Sequence, residues 1–265
     1  MPEDSQLVAT RIEPRGDARH IAYITINNPA RRNALGMPGK RAVAAAFDAL
    51  AGDEALRAVV FTGAGDKSFV AGADIAEMKD LSPDEARLEH TLTHVACEAI
   101  RACPVPVIAR INGYCLGLGM ELAASCDLRV AVEHARFGMP EVRVGIPSGM
   151  EAVLLPRLIG WGKTRELVLT GDIIEAQEAW RCGFLEKAVP PADLDAAVEA
   201  WIGSILACGR RAVRLQKALV RDWERMSVTD AIHRGIEACV EARRTDEPRR
   251  MMAAFLDRKR TGNSK

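Results

Sequence analysis

Short apolar runs alternate with helical segments through the first half of this chain, and that alternation limits the fold more than any other feature. Ile21 to Ile26 reads as a strand and Pro38 to Leu50 as an alanine-rich helix. Arg57 to Thr62 is again strand-like, and Ser82 to Ala102 is helical with Pro83 near its start. Val105 to Ile111 precedes a helical stretch opened by Gly117, and Asp127 to Val132 leads to a loop carrying Glu141. Strands alternating with helices predict an α/β core whose functional groups sit at strand-to-helix turns. Beyond Pro147 the pattern becomes almost continuously helical: 152–159, 164–169, 176–182, 192–206, 210–225, 229–243 and 248–260. Only Lys187 to Val189 reads as extended there. The expected division is an α/β core over 1–200 and a C-terminal helical region over 201–265.

Two of those turns carry glutamate. Glu121 lies in Gly117-Leu-Gly-Met-Glu-Leu122 and Glu141 in Phe137-Gly-Met-Pro-Glu141. A helix start presents unpaired N–H groups backed by the helix dipole, which suits an oxygen that becomes negative during reaction. Carboxylates beside such a start can move protons. Each residue alone has an ordinary reading: Glu121 as a first-turn acid, Glu141 as a loop acid paired with Arg143 or Arg136. A third turn, Phe69-Val-Ala-Gly-Ala-Asp-Ile75, is built of small residues that let backbone approach a ligand.

In this order, the Ala-Gly-Ala-Asp turn, the Gly-Leu-Gly-Met-Glu-Leu helix start and the Phe-Gly-Met-Pro-Glu loop resemble the crotonase family of enoyl-CoA hydratases and isomerases. The resemblance runs from Ile24-Thr-Ile-Asn-Asn-Pro29 and Asn33-Ala-Leu35, through Asn112-Gly-Tyr114 and Cys126-Asp127, to Leu169-Thr-Gly171 and the tail from Thr245 to Arg260. It implies a spiral core of repeated β-β-α units, terminal helices that build trimers or paired trimers, and hydration of a trans-2-enoyl-CoA. It assigns catalysis to Glu121 and Glu141 and an oxyanion hole to the N–H groups of Ala73 and Leu118. Contacts to the coenzyme A ester fall to Ala71, Asp74, Ile75 and the basic Arg258 and Lys259. Coenzyme A is part of the substrate, and no further cofactor or metal is implied. Glu141 is expected to have the raised pKa, since it returns a proton to C2. The alternative is a Δ3-Δ2-enoyl-CoA isomerase or another acyl-CoA reaction; a non-catalytic CoA-binding or RNA-associated subunit belongs to a different class.

The chain departs from the family's common pattern twice. Leu118 stands where glycine is usual, and leucine would be strained in a glycine-only conformation. Gly145-Ile-Pro-Ser-Gly-Met-Glu151 replaces a glycine-rich segment and introduces Glu151, which is either a third carboxylate facing the pocket or, the favoured reading, a helix-start acid.

Composition excludes other classes. With 36 basic and 36 acidic residues the chain has no bulk field for nucleic acid or an anionic membrane, so recognition of charge is local. Seven cysteines, none as Cys-x-x-Cys, fit small core residues in a reducing cytoplasm rather than a disulfide framework. The acidic start, Met1 to Gln6, offers no targeting segment, and no run approaches the roughly 18 apolar residues of a membrane span. His90 and His94, with Cys97 a turn on, have metal-compatible spacing but no partner motif, and a solvated helix face is expected. The glycines at 113, 117 and 119 lack both the P-loop ending and the dinucleotide spacing.

Overall fold

The computed structural model describes residues 7–16 and 18–262, with side chains to Asp257. It is an α/β protein with two sheets. After a first hairpin that stays within the larger sheet, the strands of the first half come in pairs, one strand of each pair going to each sheet. β1 (Val8–Pro14) and β2 (His20–Ile26) form an antiparallel hairpin, followed by α1 (Met37–Asp48). Then come β3 (Leu56–Gly63) with β4 (Ser68–Val70), the short α2 (Ile75–Met78) and the long α3 (Pro83–Ala102). β5 (Val107–Ile111) pairs in sequence with β6 (Tyr114–Leu116) and leads to α4 (Leu118–Ala124); β7 (Leu128–Val132) and β8 (Arg136–Gly138) end at a 3-10 segment, Pro140–Val144.

The larger sheet runs β1-β2-β3-β5-β7-β10, parallel from β2 onward, with β10 at Lys187–Val189. The smaller runs β4-β6-β8-β9, with β9 (Ile173–Glu175) antiparallel at its edge. One strand in each sheet and then a helix make one turn of a spiral. The short strands β4, β6, β8 and β9, three residues each, carry too little pattern to announce themselves in sequence.

The corners where the chain leaves one sheet for the other are made without side chains. A Cβ on Gly63 would lie 2.2 Å from the Phe69 carbonyl oxygen, and one on Gly113 would lie 2.1 Å from that of Lys67. Two buried asparagines staple the same corners. Asn33 Nδ2 donates to the carbonyls of Ala64 (3.0 Å) and Ser68 (2.8 Å), and Asn112 Nδ2 donates to that of Gly63 (2.8 Å). Asn33 has φ 59°, a left-handed conformation that asparagine tolerates better than most residues.

Every residue of β3 is buried, and Phe61 at its centre packs edge-to-face on Phe47 of α1 (5.5 Å) and Phe69 of β4 (5.3 Å). Burying each such ring contributes about 2–3 kcal/mol. α3 starts with a capping box: Ser82 Oγ accepts from the Glu85 N–H, and Glu85 accepts from the Ser82 N–H at 2.8 Å.

The helices after Pro147 are α5 (Leu155–Thr170), α6 (Ala176–Arg181), α7 (Leu194–Ala207), α8 (Arg210–Trp223), α9 (Val228–Ala242) and α10 (Glu247–Gly262). Two helices expected over 152–159 and 164–169 meet in α5 at Gly160, whose φ of 73° and ψ of 161° kink it. The chain forms two compact units, Met1–Trp201 and Ile202–Lys265. In the second, α8 packs on α9, while Ile232, Ile236 and Val240 remain exposed along one face of α9.

Two glycines with opposite surroundings test this reading. Gly113→Ala forces a Cβ into backbone and should lower stability by about 1–3 kcal/mol. Gly203→Ala, in α7 with open space around it, should raise stability by about 0.5–1 kcal/mol. Urea unfolding midpoints of both variants check the contrast.

Candidate active site

α4 is the centre of the site because its N-terminus is driven against β4 and β8. Gly117 caps it with φ 52° and ψ −118°, and donates its N–H to the Gly138 carbonyl at 2.9 Å. A Cβ on Gly119 would lie 2.1 Å from the Val70 carbonyl oxygen, and a Cβ on Gly117 would lie 2.4 Å from Glu141 Oε1. The missing side chains therefore let β4 and the Glu141 carboxylate reach the start of the helix. The residue with positive φ is Gly117; Leu118 lies within the helix and is not among the residues in the left-handed region. The strain expected at Leu118 does not arise, since the sharp turn is completed one residue earlier.

Ala73 lies opposite, after Gly72 at φ 127°. Among the described residues the Ala73 N–H has no protein acceptor, while its neighbours are engaged: Ala71 N–H to the Arg32 carbonyl and Asp74 N–H to the Leu35 carbonyl. Leu118 is the first residue of α4, where helix geometry leaves the N–H without an intrahelical partner. Both residues line one cavity of about 600 Å3, which also takes in Ala71, Ile75, Glu121 and Glu141. Two unspent N–H groups and two carboxyl groups thus share one space.

The carboxyls are held differently. Glu121 is 3% exposed, and its Oε1 accepts the Ala152 N–H at 3.1 Å. Glu141, half-buried in the 3-10 segment after β8, accepts from Ser148 Oγ at 2.6 Å. Neither arginine that could have claimed Glu141 does so: Arg143 pairs with Asp172, and Arg136 with Glu175 at 2.8 Å. Burial, followed by the charge of Glu141, pushes the Glu121 pKa up from 4.5 to about 8, opposed in part by the Ala152 N–H. The sequence expectation attached a raised pKa to Glu141. The structure attaches one to Glu121, because the helix carrying Glu121 is enclosed by β4 and the 3-10 segment Met150–Leu154, a burial that motif spacing does not report.

Other expected residues fall unevenly. Asp74 does not line the cavity; its carboxylate binds the Arg31 guanidinium (Nη2 to Oδ1, 2.7 Å) and caps α2 through the Ala76 N–H. Those bonds brace the turn that carries Ala73. The side chains of Arg258 and Lys259 lie outside the described residues. Glu151 does open the Met150–Leu154 segment, but it is more than a helix-start acid: it is 6% exposed and bound to His94 Nδ1 at 2.6 Å. Met150 beside it has φ 40°, rare for a residue with a side chain, at the start of the segment that holds Glu121. Among the described residues no group of three His, Cys, Asp or Glu side chains is placed to hold a metal ion.

Sequence reasoning missed Ser148, Ala152, Lys40 and Glu89. The last two form an ion pair between α1 and α3, 1% and 2% exposed, on the wall of the same cavity. A lysine in an alanine-rich amphipathic helix gives no sign that it points inward; the only signal available was its position on the helical stripe with Val43, Ala44 and Phe47.

A carboxyl with a raised native pKa makes folding take up a proton between about pH 4.5 and 8, because the unfolded chain has already released it. Stability contributed by protonated Glu121 is complete below about pH 4.5 and is lost as pH rises toward 8. Glu121→Gln should flatten the fall in unfolding free energy between pH 5 and 8, measured by urea titration at each pH; an unchanged slope would place the proton elsewhere.

The sequence profile of enoyl-CoA hydratase/isomerase matches residues 16–263. The chain is 40% identical to a crotonyl-CoA hydratase of Syntrophomonas wolfei, over 91% of this chain and 93% of that protein. It is 36% identical to a short-chain-enoyl-CoA hydratase of Clostridium acetobutylicum, over 91% and 92%. Among solved structures, an enoyl-CoA hydratase from Mycobacterium smegmatis superposes with a TM-score of 0.90 at 31% identity, covering 95% of this chain and 96% of that one.

Proposed function

Since the chain belongs to the enoyl-CoA hydratase/isomerase family and is an enzyme of the hydratase type, we propose that it adds water across the 2,3 double bond of a short trans-2-enoyl-CoA through Glu121 and Glu141. The observation that carries this reading is the convergence of two carboxyl groups and the N–H groups of Ala73 and Leu118 on one cavity. The short acyl chain is suggested by the names of the two relatives.

Water attacks C3 and gives a proton to the Glu121 carboxylate. The electron pair of the double bond moves through C2 to the thioester oxygen, where the Ala73 and Leu118 N–H groups hold the negative charge. Such donors are worth about 3–4 kcal/mol each where measured singly. As charge returns to C2, Glu141 delivers its proton there, giving a 3-hydroxyacyl-CoA. Protons and electrons balance with no metal or redox cofactor, coenzyme A being part of the substrate.

The raised pKa of Glu121 puts its ionised and protonated forms both within reach near neutrality, which suits a group that takes up and releases a proton. The reactive arrangement has Glu121 ionised, favoured by the Ala152 N–H, and Glu141 protonated. Ser148 Oγ lies in the portion of chain that departs from the family's common pattern and the Ala152 N–H directly follows it, so that portion and the residue after it orient the two groups.

Seven free cysteines fit a reducing cytoplasm, and no helix of the described residues is long and apolar enough to cross a membrane. The exposed stripe Ile232, Ile236, Val240 on α9 suits assembly into a homotrimer or a dimer of trimers. Sedimentation at micromolar concentration should give a mass of three or six chains; a monomer would remove this part.

Glu121→Gln and Glu141→Gln should each lower kcat for crotonyl-CoA by about 10²–10⁴-fold with KM changed far less. Loss of the conjugated thioester absorbance, with a product one water heavier, is the assay. Near-normal turnover by both variants would sink the assignment, and conversion of 3-enoyl-CoA without hydration would point to an isomerase.

A further inference from the structure

Glu151 is a buried carboxylate for which the scheme above has no use. It does not line the cavity, so it does not meet the substrate. Its Oε2 accepts no hydrogen bond, and its Oε1 has one partner among the described residues, His94 Nδ1 at 2.6 Å. A carboxylate only accepts, so Nδ1 carries the hydrogen in this contact. His94 stands on α3 with its side chain 59% exposed, and it therefore anchors Glu151 from the solvent side. An acid that served only a helix start gains as much while left in water, and burying one with a single partner is costly.

What the contact fixes is the next peptide group. The N–H that reaches Glu121 is that of Ala152, so it belongs to the peptide that Glu151 begins. It has two acceptors: the Gly149 carbonyl at 3.0 Å, within the 3-10 turn, and Glu121 Oε1 at 3.1 Å. A small rotation of that peptide carries the hydrogen toward one acceptor and away from the other. The turn does not hold itself, because Met150 has φ 40°, and a residue with a side chain keeps such a conformation only where its surroundings impose it. The His94 contact is a side-chain tie from this segment to α3. It lies close against Glu121: burial and then Glu141 do most to raise the Glu121 pKa, and the charge of Glu151 adds to the rise.

We propose that His94 and Glu151 form a positioning pair for hydration: by tying the Met150–Leu154 segment to α3 they keep the Ala152 N–H on Glu121 Oε1, and so hold the Glu121 carboxyl in the orientation that takes a proton from water. Neither residue touches the substrate; both act through Glu121. With the tie cut, the N–H falls back on the Gly149 carbonyl and the Glu121 side chain gains rotational freedom. Binding of the ester, which is made elsewhere in the cavity, is kept. The proposal rests on the hydratase reading above, in which Glu121 is the base.

Steady-state hydration of crotonyl-CoA by H94A, H94N and E151A tests it. H94A removes a side chain that is mostly in solvent, so the fold should survive, and circular dichroism with a urea midpoint reports whether it does. H94A and E151A should each lower kcat by about tenfold to a hundredfold with KM changed less than about threefold, since a misplaced reacting group costs rate rather than binding. Asparagine carries its amide nitrogen where histidine carries Nδ1, so H94N should recover most of the lost kcat. Beside E121Q, H94A should cost less than about threefold, because no base remains to orient. Unchanged kcat in H94A and E151A overturns the proposal. So does a loss in H94A that asparagine does not restore or that recurs in full beside E121Q; either makes the pair a tie between segments and nothing more. No hydration by the wild type, or hydration that E121Q leaves intact, is a separate result that defeats the hydratase reading and the proposal with it.

Discussion

Backbone meets backbone in this protein at Gly63, Gly113 and Gly119, where a Cβ would not fit, and at Gly117 the missing Cβ admits the Glu141 carboxylate. The first two let the chain turn from the larger sheet to the smaller; the last two let the start of α4 press on β4 and on the loop after β8. The site depends on that compression. Without it the N–H of Leu118 and the carboxyls of Glu121 and Glu141 would not share a cavity with the turn at Ala73. The buried asparagines Asn33 and Asn112 belong to the same device, since each spends its amide on carbonyls that the corners leave without strand partners.

Electrostatics follows from packing. Glu121 is shut in by the helix start and by the segment after Pro147, and its pKa rises because its charge would be poorly solvated and would face Glu141. The contacts that oppose this are few and specific: one N–H from Ala152, with the charge of Lys40 as a weaker influence. Burial is thus what brings the Glu121 pKa into the neutral range, where proton transfer is required.

The segment from Ser148 to Glu151 shows how one departure from a family pattern is absorbed. Ser148 engages Glu141, Ala152 engages Glu121, and Glu151 reaches back to His94 on α3. The segment links the two reacting carboxyls to the helix that also bears Glu89 and Thr93. Geometry at the acid–base pair therefore depends on this segment and on α3 together.

Most of the longer elements were legible in the sequence, because β2, β3, α1, α3 and α4 carry full apolar periods or glycine punctuation. The turn of Ala73, the helix start at Leu118 and the two glutamates were legible as well, being local motifs. The three-residue strands were not, since pairing rather than pattern defines them, and the break at Gly160 was visible while the continuity of α5 around it was not. What the chain alone determined was the order of strands and helices and the residue types at their turns, which follow from steric rules acting over a few positions. Tertiary structure alone decided that Lys40 and Glu89 face inward, that Asp74 is spent on Arg31, and that Glu121 carries the raised pKa. Burial and partner choice arise between residues tens of positions apart, and no local period encodes them.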